Sequence, residues 1–323
     1  MIQTLRRAPG GPPLVMGVLN VTPDSFSDGG SWTDPDAAVR HAFEMIDQGA
    51  DIIDIGGEST RPNAAPVTAV EELSRLEPVL RALIPSVDVP VSVDTMKTAV
   101  AERCVSLGAV IVNDVNGLRD DGMMELCAST GVHAVVMHMN GVPRTMPAAM
   151  GPGFMDEIRA FLRERTEAAL DAGIRRDRLV MDPGIGFGKD PEQNMRILRS
   201  SAFFSDGFPV LSGSSRKRFL AVGFPGMERD EASAEAARVA ADSGADVVRV
   251  HNVGLTRIRS GWRQAPRRQS RLSRRPRSPR TGPPSSSRRV RASLPRPCTP
   301  RRRTPRRMGP DPRSTCSGSA PGA

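Results

Sequence analysis

Eight short apolar runs, each followed by a longer amphipathic stretch, constrain this chain more than any single motif. They are LVMGVLN (14–20), DIIDI (51–55), VSVD (91–94), VIVN (110–113), HAVVM (133–137), LVMD (179–182), PVLSG (209–213) and DVVRVH (246–251). Each has strand length, is rich in Val and Ile and is apolar on both faces, the pattern of a parallel strand covered on two sides. The stretches between carry helix signals: 34–48 opens on Asp34 and Pro35, 69–83 holds Glu71 and Glu72 early, and 153–172 stops at Gly173. Such alternation builds a parallel sheet. An open doubly wound sheet competes with a closed barrel. The count of eight favours the (β/α)8 TIM barrel, and so do the polar residues at the run ends: Asn20, Asp94, Asn113, His138, Asp182, and Arg249 with His251. In a barrel these ends converge on one face, where the loops build a site.

Charge divides the chain in two. From Met1 to Thr256, 25 Lys and Arg face 35 Asp and Glu, a net charge of −10; from Arg257 to Ala323, 20 Arg and no Lys face Asp311 alone, a net of +19. The pI of about 10.6 therefore describes the tail. We expect a barrel domain over 1–256, near the roughly 250 residues usual for this fold. Residues 257–323 are rich in Arg, Pro and Ser and have no apolar periodicity, so a disordered tail is expected there. It stands where the eighth helix of a barrel should be, so that helix is expected to be missing. Arginine without lysine raises the hypothesis of a reading-frame change near Thr256 in a GC-rich gene. An amphipathic helix in another frame of the nucleotide sequence would support it, and its absence would refute it. Whatever its origin, such a tail would bind polyanions nonspecifically.

Other classes are excluded. No stretch reaches the ~18 apolar residues of a membrane span, and no apolar run follows Arg6 and Arg7 as a secretory signal requires. Cys104, Cys127, Cys298 and Cys316 sit at no metal-binding spacing, so a cytoplasmic chain with reduced thiols is expected.

The first two strand ends lead into long polar loops, N-V-T-P-D-S-F-S-D-G-G at 20–30 and G-G-E-S-T-R-P at 56–62. Loops of this length are costly to order without a purpose. Arg61 adds a guanidinium suited to phosphate or carboxylate. Further along come S-V-D-T (92–95), N-D-V (113–115), M-H-M-N-G (137–141), D-P-G-I-G-F-G-K (182–189), S-R-K (215–217) and R-V-H (249–251). Asp182 and Asp94 could equally be helix N-caps, worth ~1 kcal/mol each. Arg216 and Arg218 could simply face solvent. Arg216, Lys217 and Arg218, following Ser215, read as three cations at the positive end of a helix, an arrangement that an anionic or electron-rich ligand would relieve. His133, at the start of a strand, reads as structural.

Taken in order, these motifs resemble the signature of the dihydropteroate synthases over about residues 14–256. The resemblance implies a transferase that joins 6-hydroxymethyl-7,8-dihydropterin pyrophosphate to p-aminobenzoate, releasing pyrophosphate and 7,8-dihydropteroate for folate synthesis. It implies a pterin site of Asp94, Asn113, Met137, Asp182, Lys217 and Arg249. A carboxylate that accepts two N–H groups at once suits Asp182 to the pterin edge, and Asn113 can donate and accept beside it. It implies a p-aminobenzoate site walled by Phe26, Thr60, Pro62, Phe187 and Ser215, the pocket that sulfonamides occupy in the family. Arg61, Arg249 and His251, with a Mg²⁺ ion held partly by Asn20, would take the charge of the leaving diphosphate. Lys217 would serve catalysis as well as pterin binding. Departure from the pterin methylene needs no side-chain nucleophile, and none is evident. The family also implies a homodimer through the late helices. Two departures stand out: Asn63 replaces a usual glycine, and Asn252 a usual aspartate. An inactive pterin-binding paralogue and the pterin-binding domain of corrinoid methyltransferases are the alternatives. Neither has a use for intact F-S-D-G-G, S-T-R-P and S-R-K loops.

Overall fold

The structure is a computed structural model that describes residues 3–22, 34–59, 65–142 and 145–262. Phe26, Thr60, Arg61, Pro62, Asn63 and residues 263–323 lie outside these, and the expectations about them with them. Eight parallel strands appear among the described residues: β1 (Leu14–Asn20), β2 (Ile52–Gly56), β3 (Val91–Asp94), β4 (Ile111–Asp114), β5 (His133–Met137), β6 (Leu179–Asp182), β7 (Leu211–Ser212) and β8 (Val247–Val250). They pair in the order β6-β5-β4-β3-β2-β1-β8-β7. A parallel bridge between Met181 and Val210 brings β7 back to β6 and closes the ring.

Helices follow the strands: α1 (Pro35–Asp47), α2 (Ala69–Leu83), α3 (Thr98–Ser106), α4 (Met123–Thr130), α5 (Phe154–Asp171), α6 (Pro191–Leu198), the single turn α7 (Leu220–Gly223), α8 (Arg229–Asp242) and α9 (Val253–Ser260). Their starts are written in the sequence. The Asp34 side chain caps Asp36 N ahead of Pro35, and Thr68 caps Glu71 N. At α6, Asp190 and Gln193 form a reciprocal capping box. Apolar faces of the helices close on the outer faces of the strands to form the main core.

The floor of the barrel is dry. Met16, Ile52, Ile111, Val135, Val180, Leu211 and Val247 point inward near the strand starts, and Leu5, fully buried, plugs the ring below them. The chain before β1 is pinned by bonds from Arg7 N to Asp246 Oδ1 (3.1 Å) and from Arg7 Nη1 to Ala241 O (2.9 Å). His133, at this same end, is buried against Arg178 (2.7 Å), the structural role expected of it.

The eighth helix is short rather than missing. α9 makes about two turns, capped by Asn252 Oδ1 on Leu255 N (3.0 Å). Arg257, placed by sequence in the tail, is buried: it donates to Gly49 O (2.9 and 3.2 Å) and pairs with Asp51. Arg259 pairs with Glu231 of α8 at 2.9 Å. Val253 packs over β1 at Gly17, where a Cβ would stand 2.9 Å from Met45 Sδ and 3.2 Å from Val253, so glycine is what lets both helices approach. The described fold thus runs past the expected boundary at 256, through Trp262. Arginine-rich text concealed this because two of its arginines serve as anchors.

Candidate active site

The C-terminal strand ends open on a cavity of about 580 Å³, lined among others by Asn20, Asp94, Asn113, Met137, Asp182, Ser215, Lys217, Arg249 and His251. Strand register brings the first of these together, because Asn20 pairs with Gly56, Gly56 with Asp94 and Asp94 with Asn113. Arg249 crosses beneath this row. Its Nε donates to Asp54 Oδ2 and its Nη2 to Asp94 Oδ2, both at 2.6 Å, while Asn113 Nδ2 donates to the same Asp54 oxygen at 3.1 Å. Burial pushes the Asp94 carboxyl up to about 7 in spite of the guanidinium beside it, helped by the nearby Asp54 charge. Facing two carboxylates, Arg249 is held above its ordinary range. The guanidinium therefore keeps its charge throughout, and Asp94 is the member that gives way on acidification.

Across the cavity, the glycine loop 183–189 folds over Asp182. Asp182 Oδ1 accepts from Gly184 N at 2.7 Å, so it organises a turn and caps no helix. Asp94 caps none either, since the residue before α3 is Lys97. Gly184 has φ +69°, and a Cβ there would lie 1.8 Å from His138 O, so only glycine fits. Burial raises the Asp182 carboxyl, while the Gly184 bond and the lysines oppose this. Lys217 hydrogen-bonds Ile185 O and lies 4.4 Å from the centre of the Phe187 ring. Burial pushes Lys217 down to about 8 and Lys189, bonded to Gly184 O (2.8 Å) and Phe187 O (3.0 Å), down to about 7. Met137 is buried with Val115 and Met139, and Met96, Met146 and Phe187 pack on them to make an apolar shelf in an otherwise polar mouth.

The third wall is the segment after β7. Ser215 Oγ lies 2.9 Å from His251 Nδ1 and accepts from His251 N at 3.2 Å. Burial, with the Arg216 and Arg249 charges near it, pushes His251 down to about 3, so it is neutral at working pH. The expected helix beginning at Ser215 is absent: the turn α7 starts only at Leu220. Arg216 is not free in solvent, because its guanidinium forms a fork on Asp230 (2.7 and 3.0 Å). Asp230 meets its charge at the cavity wall. Arg218 is exposed, as expected. Asn252 Nδ2 donates to Asp230 Oδ2 at 3.0 Å, so the amide at this position adds no second negative charge beside that acid.

The base of the second loop is fastened by groups that the sequence did not single out. Glu58 accepts from Val67 N (3.3 Å) and from Lys97 Nζ (2.5 Å), and Lys97 also holds the buried Glu72 at 2.6 Å. Arg75 Nη1 donates to Gly57 O at 2.7 Å. Asp54 and Lys189 are further additions. A signal existed for Asp54: a lone acid in the middle of a run buried on both faces must be paired with something. For a metal, no three His, Cys, Asp or Glu side chains gather among the described residues. Asn20 offers one neutral oxygen at the cavity wall. That donor would fit a hard cation able to keep most of its own water.

The sequence pattern of the family described as pterin binding enzyme matches residues 16–251. The dihydropteroate synthase of Bacillus subtilis is 43% identical over 244 residues, 74% of this chain and 84% of that protein. Among solved structures, Xanthomonas albilineans dihydropteroate synthase with 4-aminobenzoic acid is 42% identical with a TM-score of 0.71, covering 77% of this chain and 91% of that one. The Yersinia pestis dihydropteroate synthase in complex with a sulfonamide drug is 42% identical with a TM-score of 0.72, covering 77% and 92%.

Proposed function

Because this chain belongs to the pterin-binding enzyme family, among its dihydropteroate synthases, we propose that the cavity binds a pterin pyrophosphate beside an arylamine acid. The chain condenses 6-hydroxymethyl-7,8-dihydropterin pyrophosphate with p-aminobenzoate to give 7,8-dihydropteroate and pyrophosphate. One observation carries the residue assignment: Asp182, Lys217, Asp94, Asn113 and Arg249 line a single cavity with an apolar shelf between them. That combination suits a flat heterocycle with a polar edge.

In this reading Asp182 accepts from the N–H groups of the pterin edge. Asn113 and Asp94 complete that edge, Met137 packs under the ring, and Lys217 lies against it. The C–O bond to the diphosphate breaks, the arylamine nitrogen forms the new C–N bond at the methylene carbon, and the amine gives up a proton. Arg61, Arg249 and neutral His251 receive the charge of the leaving pyrophosphate; His251 does so by donating, its other ring nitrogen being engaged with Ser215. When bound, Mg²⁺ would be held by Asn20 and would neutralise charge on the diphosphate oxygens. Ser215 and Phe187 face the arylamine acid, with Phe26, Thr60 and Pro62 as further walls. No helix among the described residues is long and apolar enough to cross a membrane, and a cytoplasmic homodimer is the setting we propose. The test is chromatographic. Dihydropteroate should form only when both substrates are present, and a sulfonamide should compete with p-aminobenzoate. Failure of the product to form, or inhibition that ignores p-aminobenzoate, would refute the assignment.

A further inference from the structure

We infer that Asp54, a residue outside every motif, is a positioning residue for the pterin reaction: it orients Arg249 and Asn113 and balances the guanidinium beside the reacting carbon. The inference rests on the function proposed above. Asp54 sits in the middle of β2, fully buried, with Ile52, Ile53 and Ile55 fully buried around it. An ionised carboxylate in such a place is tolerated only when paired. Its partners are telling: Oδ2 takes both the Nε of Arg249 and the Nδ2 of Asn113, two residues that line the cavity, which Asp54 itself does not.

Three consequences follow from that geometry. First, Arg249 is pinned on two edges, by Asp54 through Nε and by Asp94 through Nη2, so its plane is fixed before substrate arrives. Second, one N–H of the Asn113 amide is committed to Asp54, which fixes the amide's orientation and leaves its Oδ1 to accept from a ligand N–H. Asp54 thereby decides which way the Asn113 amide reads. Third, one guanidinium now faces two carboxylates. Arg249 beside ionised Asp94 alone would make a neutral pair; with the Asp54 carboxylate the trio is net negative while Asp94 keeps its charge. A net negative floor favours a methylene carbon that becomes cationic as the diphosphate leaves. A purely structural acid is a poor explanation, because a buried ion pair can often be replaced by apolar packing without loss of stability. The second oxygen, Oδ1, is moreover buried with no partner among the described residues.

The test is a double-mutant cycle of Asp54→Asn, Arg249→Met and the pair, followed as pyrophosphate release from both substrates. Wild-type release that did not depend on p-aminobenzoate would count against the proposed function and not against Asp54 alone. With that dependence established, Asp54→Asn should lower kcat about 10- to 100-fold. The KM for the pterin should rise less than about tenfold, and the KM for p-aminobenzoate should stay within about twofold. The double variant should lose clearly less than the product of the two single losses, because Asp54 acts mainly through that arginine and only the remainder through Asn113. The acidic limb of the rate profile should also move to lower pH, since Asp94 loses a like charge nearby. Losses that multiply across the cycle, an unchanged kcat, or an effect confined to p-aminobenzoate would overturn the inference. Should Asp54→Asn melt below the assay temperature, Asp54→Ser, smaller and still an acceptor, replaces it in the cycle, with the same outcomes expected and the same ones overturning the inference.

Discussion

The two ends of the same eight strands are chemically opposite. At the starts, Leu5 and the inward residues from Met16 to Val247 make a dry apolar plug. A few residues further along each strand stand Asp54, Asp94, Asn113, Asp182 and Arg249, buried or half-buried and bonded to one another or to the adjoining glycine turn. The floor gains by excluding water. The mouth costs stability to assemble, since each of its charges is desolvated, as the raised carboxyls and lowered lysines record. What is learned is a division of labour along each strand: one end holds the ring shut and the other keeps charged groups where a ligand can use them.

Mutations at the two ends should therefore separate stability from chemistry. Leu5→Ala should cost about 2–5 kcal/mol of stability, as large-to-small core changes do, and leave kcat/KM unchanged at temperatures where the protein stays folded. Denaturant titration beside steady-state assays checks this, and a lost kcat/KM would mean that the ends are coupled. Asp182→Asn should do the reverse. Losing a charged hydrogen bond worth about 1.5–3 kcal/mol weakens the pterin roughly 10- to 100-fold, with the melting midpoint little changed. Calorimetric titration with a pterin would show it, and equal weakening of a p-aminobenzoate-site ligand would show the assignment to be wrong.

The mouth should also carry the pH dependence. Asp94 must be ionised to hold Arg249, so kcat/KM falls as pH drops through about 7. Lys217 must keep its proton, so kcat/KM falls as pH rises through about 8. A bell with its maximum between these values is expected, each limb approaching about tenfold per pH unit. A flat profile from about pH 6 to 9 would contradict it. The smallest effect expected is at Asn252, behind the mouth. Asn252→Asp would place a second carboxylate against Asp230, where Asn252 Nδ2 now donates. It should cost about 1 kcal/mol or less, Arg216 being present to share. Thermal melting measures it, and a stabilised variant would show that the pair is not in conflict.

Much of this was legible in the sequence. Seven of the eight apolar runs became strands to within a residue of the expected ends. β7 shrank to Leu211–Ser212: Pro209 has no N–H to donate, and the Val210 N–H goes to the Asp246 carboxylate instead of a strand. Asp94, Asn113, Asp182 and Arg249 stood out as polar residues at the ends of buried runs and Lys217 only through the resemblance carried by S-R-K, and the structure brings all five to one cavity. What escaped depends on partners far along the chain. Arg216 reads as a solvent cation until Asp230, 14 residues on, folds against it. Leu5 belongs to no periodic pattern and finds its place only when the ring closes above it. Lys97 meets Glu58 across 39 residues, and Arg257 meets Asp51 across 206. Local pattern shows which elements form, while tertiary pairing decides which charges they bring together.

The measurement that bears most directly on the whole account is pyrophosphate release by the full chain from the pterin pyrophosphate, with and without p-aminobenzoate. A rate that rises and saturates with p-aminobenzoate, and collapses in Asp182→Asn, is the predicted result. Release at the same rate whether or not the arylamine is added would contradict the idea that this mouth joins two substrates.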